Sequence, residues 1–333
     1  MKNKRIIPVA SGKGGVGKTV FAANLSIALA QMGHSTVVAD LDLGGSNLYT
    51  CLGIPNKYPG IGDFFNTKNI LFKDIILQTD IPDLKFLPGD GKTPFLANIS
   101  YDQRLALIKE LKNISAEYII LDLGAGTSFN ILNFFGLTHK GIIITTFETA
   151  SVMNSVMFLR NFMFRVISSV VRHDKKAIYM LIKSFQQPIQ SEPLTVKSLT
   201  EKISGINPQL AAKIGKSCSN YHPRIIFNMG DHPNELTIMK KLDKTFKEGL
   251  SLEADFFGFI FFDEKVRTAA KKREVLITQY PESLASRCIR DIAQRLIRSW
   301  DVPTVNSGIQ LIETARKIQE VRNEEVRSEE VKK

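Results

Sequence analysis

The sequence lacks the marks of a secreted, metal-binding or membrane-spanning chain. Its three cysteines, Cys51, Cys218 and Cys288, form no C-x-x-C pair. That argues against a zinc or iron–sulfur site and for reduced thiols in the cytoplasm. His173 and His222 have no partners at metal-ligand spacing. Charges or glycines break every apolar run before it reaches membrane-spanning length. Met1-Lys2-Asn3-Lys4-Arg5 has the charge of a signal-peptide front, but the apolar part behind it is too short. It reads as the flank of a first strand. No repeat of 20–50 residues is present.

What is present suits one large α/β domain with additions: 333 residues, 44% of them hydrophobic. The net charge of +11 is uneven. Residues 1–150 carry +2, residues 151–300 carry +10 and residues 301–333 carry −1. The excess in the second half is either a basic, solvated surface or a means of meeting nucleic acid or anionic lipid.

One stretch organises the rest: Gly12-Lys13-Gly14-Gly15-Val16-Gly17-Lys18-Thr19. The apolar run Ile6–Ala10 precedes it and a helical pattern, Phe21 to Met32, follows. In a strand–loop–helix context this spacing predicts a phosphate loop. Glycines let successive N–H groups turn toward phosphate oxygens, and the helix start adds a positive dipole end. Lys18 would reach the β- and γ-phosphates, and the Thr19 hydroxyl would hold Mg²⁺. Lys13, by itself, reads as a solvated loop lysine.

Two strand ends add acids. Thr36–Ala39 runs into Asp40 and Asp42, two residues apart and so on one side of the strand. Carboxyl ends of parallel strands face the ligand, which predicts both acids beside the phosphate loop; the alternative is a turn cap. Tyr118-Ile119-Ile120-Leu121-Asp122 has the form of a strand ending in a Mg²⁺-holding acid, with the loop Leu123–Thr127 behind it. Asn228 ends a later strand, Arg224–Asn228. It is either a reader of the adenine edge or a turn residue.

The remaining pattern predicts a strand at Leu84–Leu87, another at Gly141–Thr146, and a last one at Phe256–Ile260. Short helices are expected at Ile61–Phe65 and Leu71–Leu77. Tyr101–Leu111 reads as a helix with Leu105, Ile108 and Leu111 on one face. Glu148 to Ser151 opens a long helix to about Val171, whose Met and Phe residues serve core or interface packing. Residues 172–222 read as a helical insertion containing Val196–Ile203 and Pro208–Lys216. A helix from Asp263 to Arg273 and a closing one from Pro281 to Trp300 follow. The domain is expected to span 1–300. Residues 301–333 form a charged tail, partly helical or disordered, with a helix at Ile309–Val321. It lacks the aromatics and basic face of a lipid-inserting helix and predicts a frayed or partner-bound end.

In order, the loop with Lys13, Asp40-Leu41-Asp42-Leu43-Gly44, Leu121–Gly126, Glu148–Ser151, Asn228 and Phe262–Arg267 resemble the MinD/ParA superfamily of ATPases, with its deviant Walker A motif. Within it, Leu43–Leu48, Phe86–Gly89 and Asp122–Gly126 look closest to the MinD/FlhG branch. The resemblance implies a P-loop NTPase fold with a mostly parallel central sheet flanked by helices, and Mg²⁺-dependent hydrolysis of ATP. It implies nucleotide contacts along Gly12–Thr19, with Lys13 reaching the nucleotide of a second subunit and Asn228 recognising adenine. Lys18 and Asp42 would carry the chemistry with Lys13, Asp42 by positioning the attacking water. Thr19, Asp40 and Asp122 would serve the metal. The implied partners are a second copy in the ATP state and an activating or regulated protein. The implied location is the cytoplasm, peripherally on the inner face of the cell membrane, with nonspecific DNA binding of the ParA type as the alternative. Asn154 stands where an Asp usually follows the Glu-x-x-Ser motif, which removes one charge from the expected dimer contact.

Overall fold

The computed structural model describes residues 4–89, 96–186, 194–302 and 306–331. The charged front Met1-Lys2-Asn3 and the final Lys332-Lys333 lie outside them. The chain runs β1 (Arg5–Ser11), α1 (Lys18–Gln31), β2 (Thr36–Leu41), α2 (Leu48–Cys51), α3 (Ile61–Asn66), β3 (Leu77–Gln78), β4 (Leu84–Leu87), α4 (Tyr101–Asn113) and β5 (Tyr118–Ala125). It continues with α5 (Phe129–Phe135), β6 (Ile142–Thr145), α6 (Thr149–Val171), α7 (Lys175–Phe185), α8 (Val196–Ser204) and α9 (Pro208–Ser219). Then come β7 (Arg224–Gly230), α10 (Ile238–Leu250), β8 (Asp255–Phe261), α11 (Glu264–Lys272), α12 (Leu276–Gln279), α13 (Leu284–Ser299) and α14 (Ser307–Val331).

The strands form a single sheet in the order β3-β4-β2-β5-β1-β6-β7-β8. Every pairing is parallel except β3 with β4. The central strands are continuous apolar runs, buried throughout, as a sheet covered on both faces requires. One group of helices joins α1, α12 and α13; another joins α5, α6 and α9. Strands β1, β2 and β5 are neighbours, so their carboxyl ends converge. That is the fold's contribution to the site.

Local differences from the sequence pattern have local causes. Strands β2 and β5 run on through Asp40 and Asp122 to Leu41 and Ala125, because ladder bonding carries the acids inside the sheet. α1 starts at Lys18, not Phe21. The helix expected at Leu71–Leu77 is a 3-10 turn at Phe72–Ile75, followed by the edge strand β3. On α4 the buried face is Arg104, Leu107 and Leu111, while Leu105 is exposed. The Arg104 guanidinium donates to Asn130 Oδ1 at 2.9 Å and lies over the Tyr101 and Phe129 rings, so an arginine takes a position that apolar counting gives to leucine. Helices α7 and α10, and the single turns α2 and α12, are not among the segments expected from the sequence. The closing helix begins at Leu284, after Ser283 caps it, rather than at Pro281.

The tail is a 25-residue helix, α14, longer than the expected segment. Its first half is docked rather than frayed: Leu311 and Ala315 are buried and α14 runs along β8. Ser307 Oγ accepts from the Phe256 amide at 3.1 Å.

Beneath the last strands lies a buried charge. Arg224 is 2% exposed, with its guanidinium 4.3 Å from the centres of both the Phe257 and Trp300 rings. It donates to the Ser299 carbonyl at 3.0 Å and its Nε lies 3.5 Å from Asp255. This ties β7 to β8 and to the end of α13. Asp255 also has Arg295 at 3.7 Å, so losing Arg224 removes one of its partners, and breaking such a buried ion pair costs about 3 kcal/mol. We expect Arg224→Leu to lower the unfolding free energy by about 3 kcal/mol, read from the urea midpoint. A shift no larger than that of Lys247→Ala, at an exposed helix pair, would show that Arg224 anchors nothing.

Candidate functional site

After β1 the chain turns through Gly12–Gly17 into α1. Two close approaches fix this loop. A Cβ on Gly12 would lie 2.1 Å from the Asn154 carbonyl oxygen, so the loop starts directly against the backbone of α6. Gly17 has φ +83°, in the left-handed region, and a Cβ there would meet Asn228 Nδ2 at 2.3 Å. Gly17 is also the N-cap of α1, so the first N–H groups of that helix face back to the loop.

Lys18 and Asp122 form a buried ion pair, with Nζ donating to Oδ1 at 2.7 Å. Burial pushes the Asp122 carboxyl above the usual carboxylate range. The Lys18 ammonium and the Thr19 hydroxyl oppose that rise, and the Asp42 charge adds to it. Among the described residues, Asp122 Oδ2 is buried without a hydrogen-bond partner. A bare carboxylate oxygen beside a threonine hydroxyl is a hard donor set, and it fits Mg²⁺.

Asp40 and Asp42 part company. The β2–β5 register sets Asp40 opposite Asp122. Its Oδ2 accepts from Ser46 Oγ at 2.6 Å and from the Leu48 amide at 3.0 Å, and its Oδ1 from the Asp42 amide at 3.1 Å. Asp40 therefore braces the loop between β2 and α2, as a turn cap does. Burial, and then the neighbouring Asp122 charge, push its carboxyl up to about 7. Asp42 is the member that lines the cavity beside the phosphate loop, with its carboxylate against Gly124 of β5.

That cavity, about 580 Å³, is walled by Gly14 to Val20, Asp42 and Asn228, and by Met229, Phe262 and Arg267. Asn228 is nearly buried, and its amide donates to the Val16 carbonyl at 2.8 Å. One of its two amide N–H groups thus helps hold the phosphate loop. Lys13 points elsewhere. Its ammonium lies 3.6 Å from Glu148 with both side chains largely in water, 46% and 71% exposed. Such a pair adds little stability.

Met229 and Phe262 as cavity walls are not announced by the sequence. Met229 carries the usable signal once φ is known: it is a non-glycine residue at φ +58° on the rim of the cavity. Phe262, just past the end of β8, stands where adjacent parallel strands end together.

Residues 7–277 match the profile of the CobQ/CobB/MinD/ParA nucleotide binding domain. Among curated relatives, the antiactivator FleN of Pseudomonas aeruginosa is 24% identical over 307 residues, covering 91% of this chain and 90% of FleN. The septum site-determining protein MinD of Synechocystis is 36% identical over 153 residues, 45% of this chain and 56% of that protein. The fold is shared with MinD in the MinC:MinD cell division complex of Aquifex aeolicus, at a TM-score of 0.57 and 20% identity over 91% of this chain and 98% of that one. It is shared with the Pyrococcus horikoshii MinD solved with Mg-ADP, at 0.56 and 18%, over 90% and 98%. With the phosphate loop, the Lys18–Asp122 pair and the cavity in place, and with its profile matched from residue 7 to residue 277, this chain belongs to the CobQ/CobB/MinD/ParA nucleotide-binding family.

Proposed function

We propose that the chain is an ATP-hydrolysing switch that dimerises in the ATP state and positions a cellular structure such as the division site or a flagellum. The observation that carries this reading is the exposed Lys13. It belongs to the loop of a site that already has a buried lysine but faces solvent outside the cavity, and its weak pairing with Glu148 leaves it available to a second copy.

In this mechanism the N–H groups of Gly12–Gly17 and the start of α1 hold the phosphates of ATP. Lys18 transfers its ammonium from Asp122 toward the β- and γ-phosphates. Thr19 and Asp122 would hold Mg²⁺, whose charge supports phosphoryl transfer when it is bound. Asp40 keeps the β2–α2 loop in place and so sets the position of Asp42. Asp42 orients a water in line with the γ-phosphate, and transfer to that water proceeds by positioning and electrostatics. Lys13 of each copy neutralises phosphate charge in the other, so loss of the γ-phosphate weakens the dimer. Asn228, with one of its two amide N–H groups on Val16, keeps its carbonyl and the other N–H for the adenine edge.

The division role draws on the name of the relative called a septum site-determining protein, MinD, and the flagellar one on the resemblance to the MinD/FlhG branch. A peripheral place on the inner face of the cell membrane and an activating or regulated partner protein go with it. The ParA-like alternative, nonspecific DNA binding, draws on the basic excess of residues 151–300. A salt-sensitive, ATP-dependent shift of DNA would favour it.

Lys18→Ala should abolish ATP turnover, measured as phosphate release; unchanged turnover would sink the site. Asp42→Ala should slow hydrolysis by about 100-fold or more, the scale of a lost water-positioning group, and leave a dimer locked by ATP. Lys13→Ala should keep the monomer intact but remove the ATP-dependent dimer on a sizing column. A dimer unaltered by that change would refute the role of Lys13 across the interface.

A further inference from the structure

Helices α7, α8 and α9 take no part in the cavity. α7 is fastened by one face: Ala177, Leu181 and Ser184, at helical spacing, are buried against α6 and α8. Its other face is turned outward and is apolar. Tyr179 is 69% exposed, Ile182 49% and Phe185 43%, with Ile178 half-buried beside them. At 3.6 residues per turn these four share an arc of about 120°. Lys176 and Lys183 lie along one edge of the arc and Lys175 within it. Phe185 rests on Phe164 at 5.2 Å between ring centres, so the stripe has a fixed end. Ile206, 39% exposed, precedes α9 and is held near the start of α7, where Asn207 donates to Asp174 at 3.3 Å.

Single exposed apolar residues are ordinary on any surface. Four on one arc of an 11-residue helix, bordered by lysines, are the pattern of a helix that lies in a membrane interface. Residues 172–222 carry eight basic side chains and three acidic ones, which gives the whole insertion a positive field.

We propose that the outward face of α7 attaches this protein to an anionic lipid bilayer: Tyr179, Ile182 and Phe185 enter the headgroup–acyl boundary while Lys175, Lys176 and Lys183 meet lipid phosphates. The proposal rests on the membrane-surface part of the reading above and on none of its ATP chemistry. The tail does not compete for this role, because Leu311 and Ala315 of α14 are already covered by β8. The nucleotide face does not compete either. α6 has 23 residues, and the point where α7 rests on it, Phe164 under Phe185, lies about 22 Å along it from the Lys13 end. The stripe's aliphatic centre, Ile178 and Ile182, suits a deformable apolar layer better than stacked bases.

The test is sedimentation of the full chain in ADP with phosphatidylglycerol/phosphatidylcholine vesicles and with phosphatidylcholine alone. Wild type should favour the anionic vesicles by about tenfold. The preference should vanish in Lys175→Glu/Lys176→Glu/Lys183→Glu and in Tyr179→Ser/Ile182→Ser, while both variants still bind a fluorescent ATP analogue as wild type does. A wild type indifferent to lipid charge overturns the proposal, as does sedimentation of both variants like wild type. So does loss of vesicle binding only on deletion of residues 319–333. Two further results assign the face to another partner and overturn it too. One is DNA retention lost in the lysine variant with vesicle binding intact. The other is a self-association, seen by light scattering, that Tyr179→Ser/Ile182→Ser abolishes. Vesicle binding is read without turnover, so a protein that fails to hydrolyse ATP leaves this result standing.

Discussion

The Lys18–Asp122 ion pair is the constraint on which the site depends. Burying an ammonium and a carboxylate costs several kcal/mol unless the geometry is close and the remaining atoms are satisfied. The chain achieves closeness, 2.7 Å, by placing β5 directly beside β1 and letting the loop between β1 and α1 fold over the end of β5. It leaves one oxygen of Asp122 unsatisfied among the described residues. A second carboxylate, Asp40, sits across the ladder from Asp122. Two buried acids side by side are tolerable because Asp40 is held by Ser46, Leu48 and the Asp42 amide. The loop that carries Asp42 is therefore shaped by the need to satisfy Asp40.

Much of this was legible in the residues. Phosphate loop, strand-end acids and parallel core strands are carried by local spacing, and the sheet assembles from them. What spacing does not carry is the division of labour between neighbours. Asp40 and Asp42 look alike in sequence, and only the register with β5 shows that one braces while the other faces the cavity. Asn228 read as either an adenine reader or a turn residue, and spacing does not show that one of its N–H groups also holds Val16. Arg104 hid a buried helix face because its long apolar stem and stacked guanidinium do the work of a leucine. α7 lies inside residues 172–222, expected only as a helical insertion, and which of its apolar residues are buried follows from its packing on α6 and α8.

The net charge also resolves into parts with different meanings. Arg224 and Arg295 belong to the interior of the last strands, where both converge on Asp255 and the Phe257 ring. They contribute to the total and attract nothing outside. The lysines of α7 to α9 stand in solvent. A chain with the same sum but these positions exchanged would present a different field.

The contact of Gly12 with the backbone of Asn154 has a mechanical consequence. The second turn of α6 bears on the phosphate loop with no side chain between them as a cushion. The last turn of the same helix carries α7. A rod of about 34 Å, pivoting near its start by about 5°, sweeps its far end through about 3 Å. A small tilt of α6 at this contact would therefore appear as a larger displacement at its other end, where α7 begins.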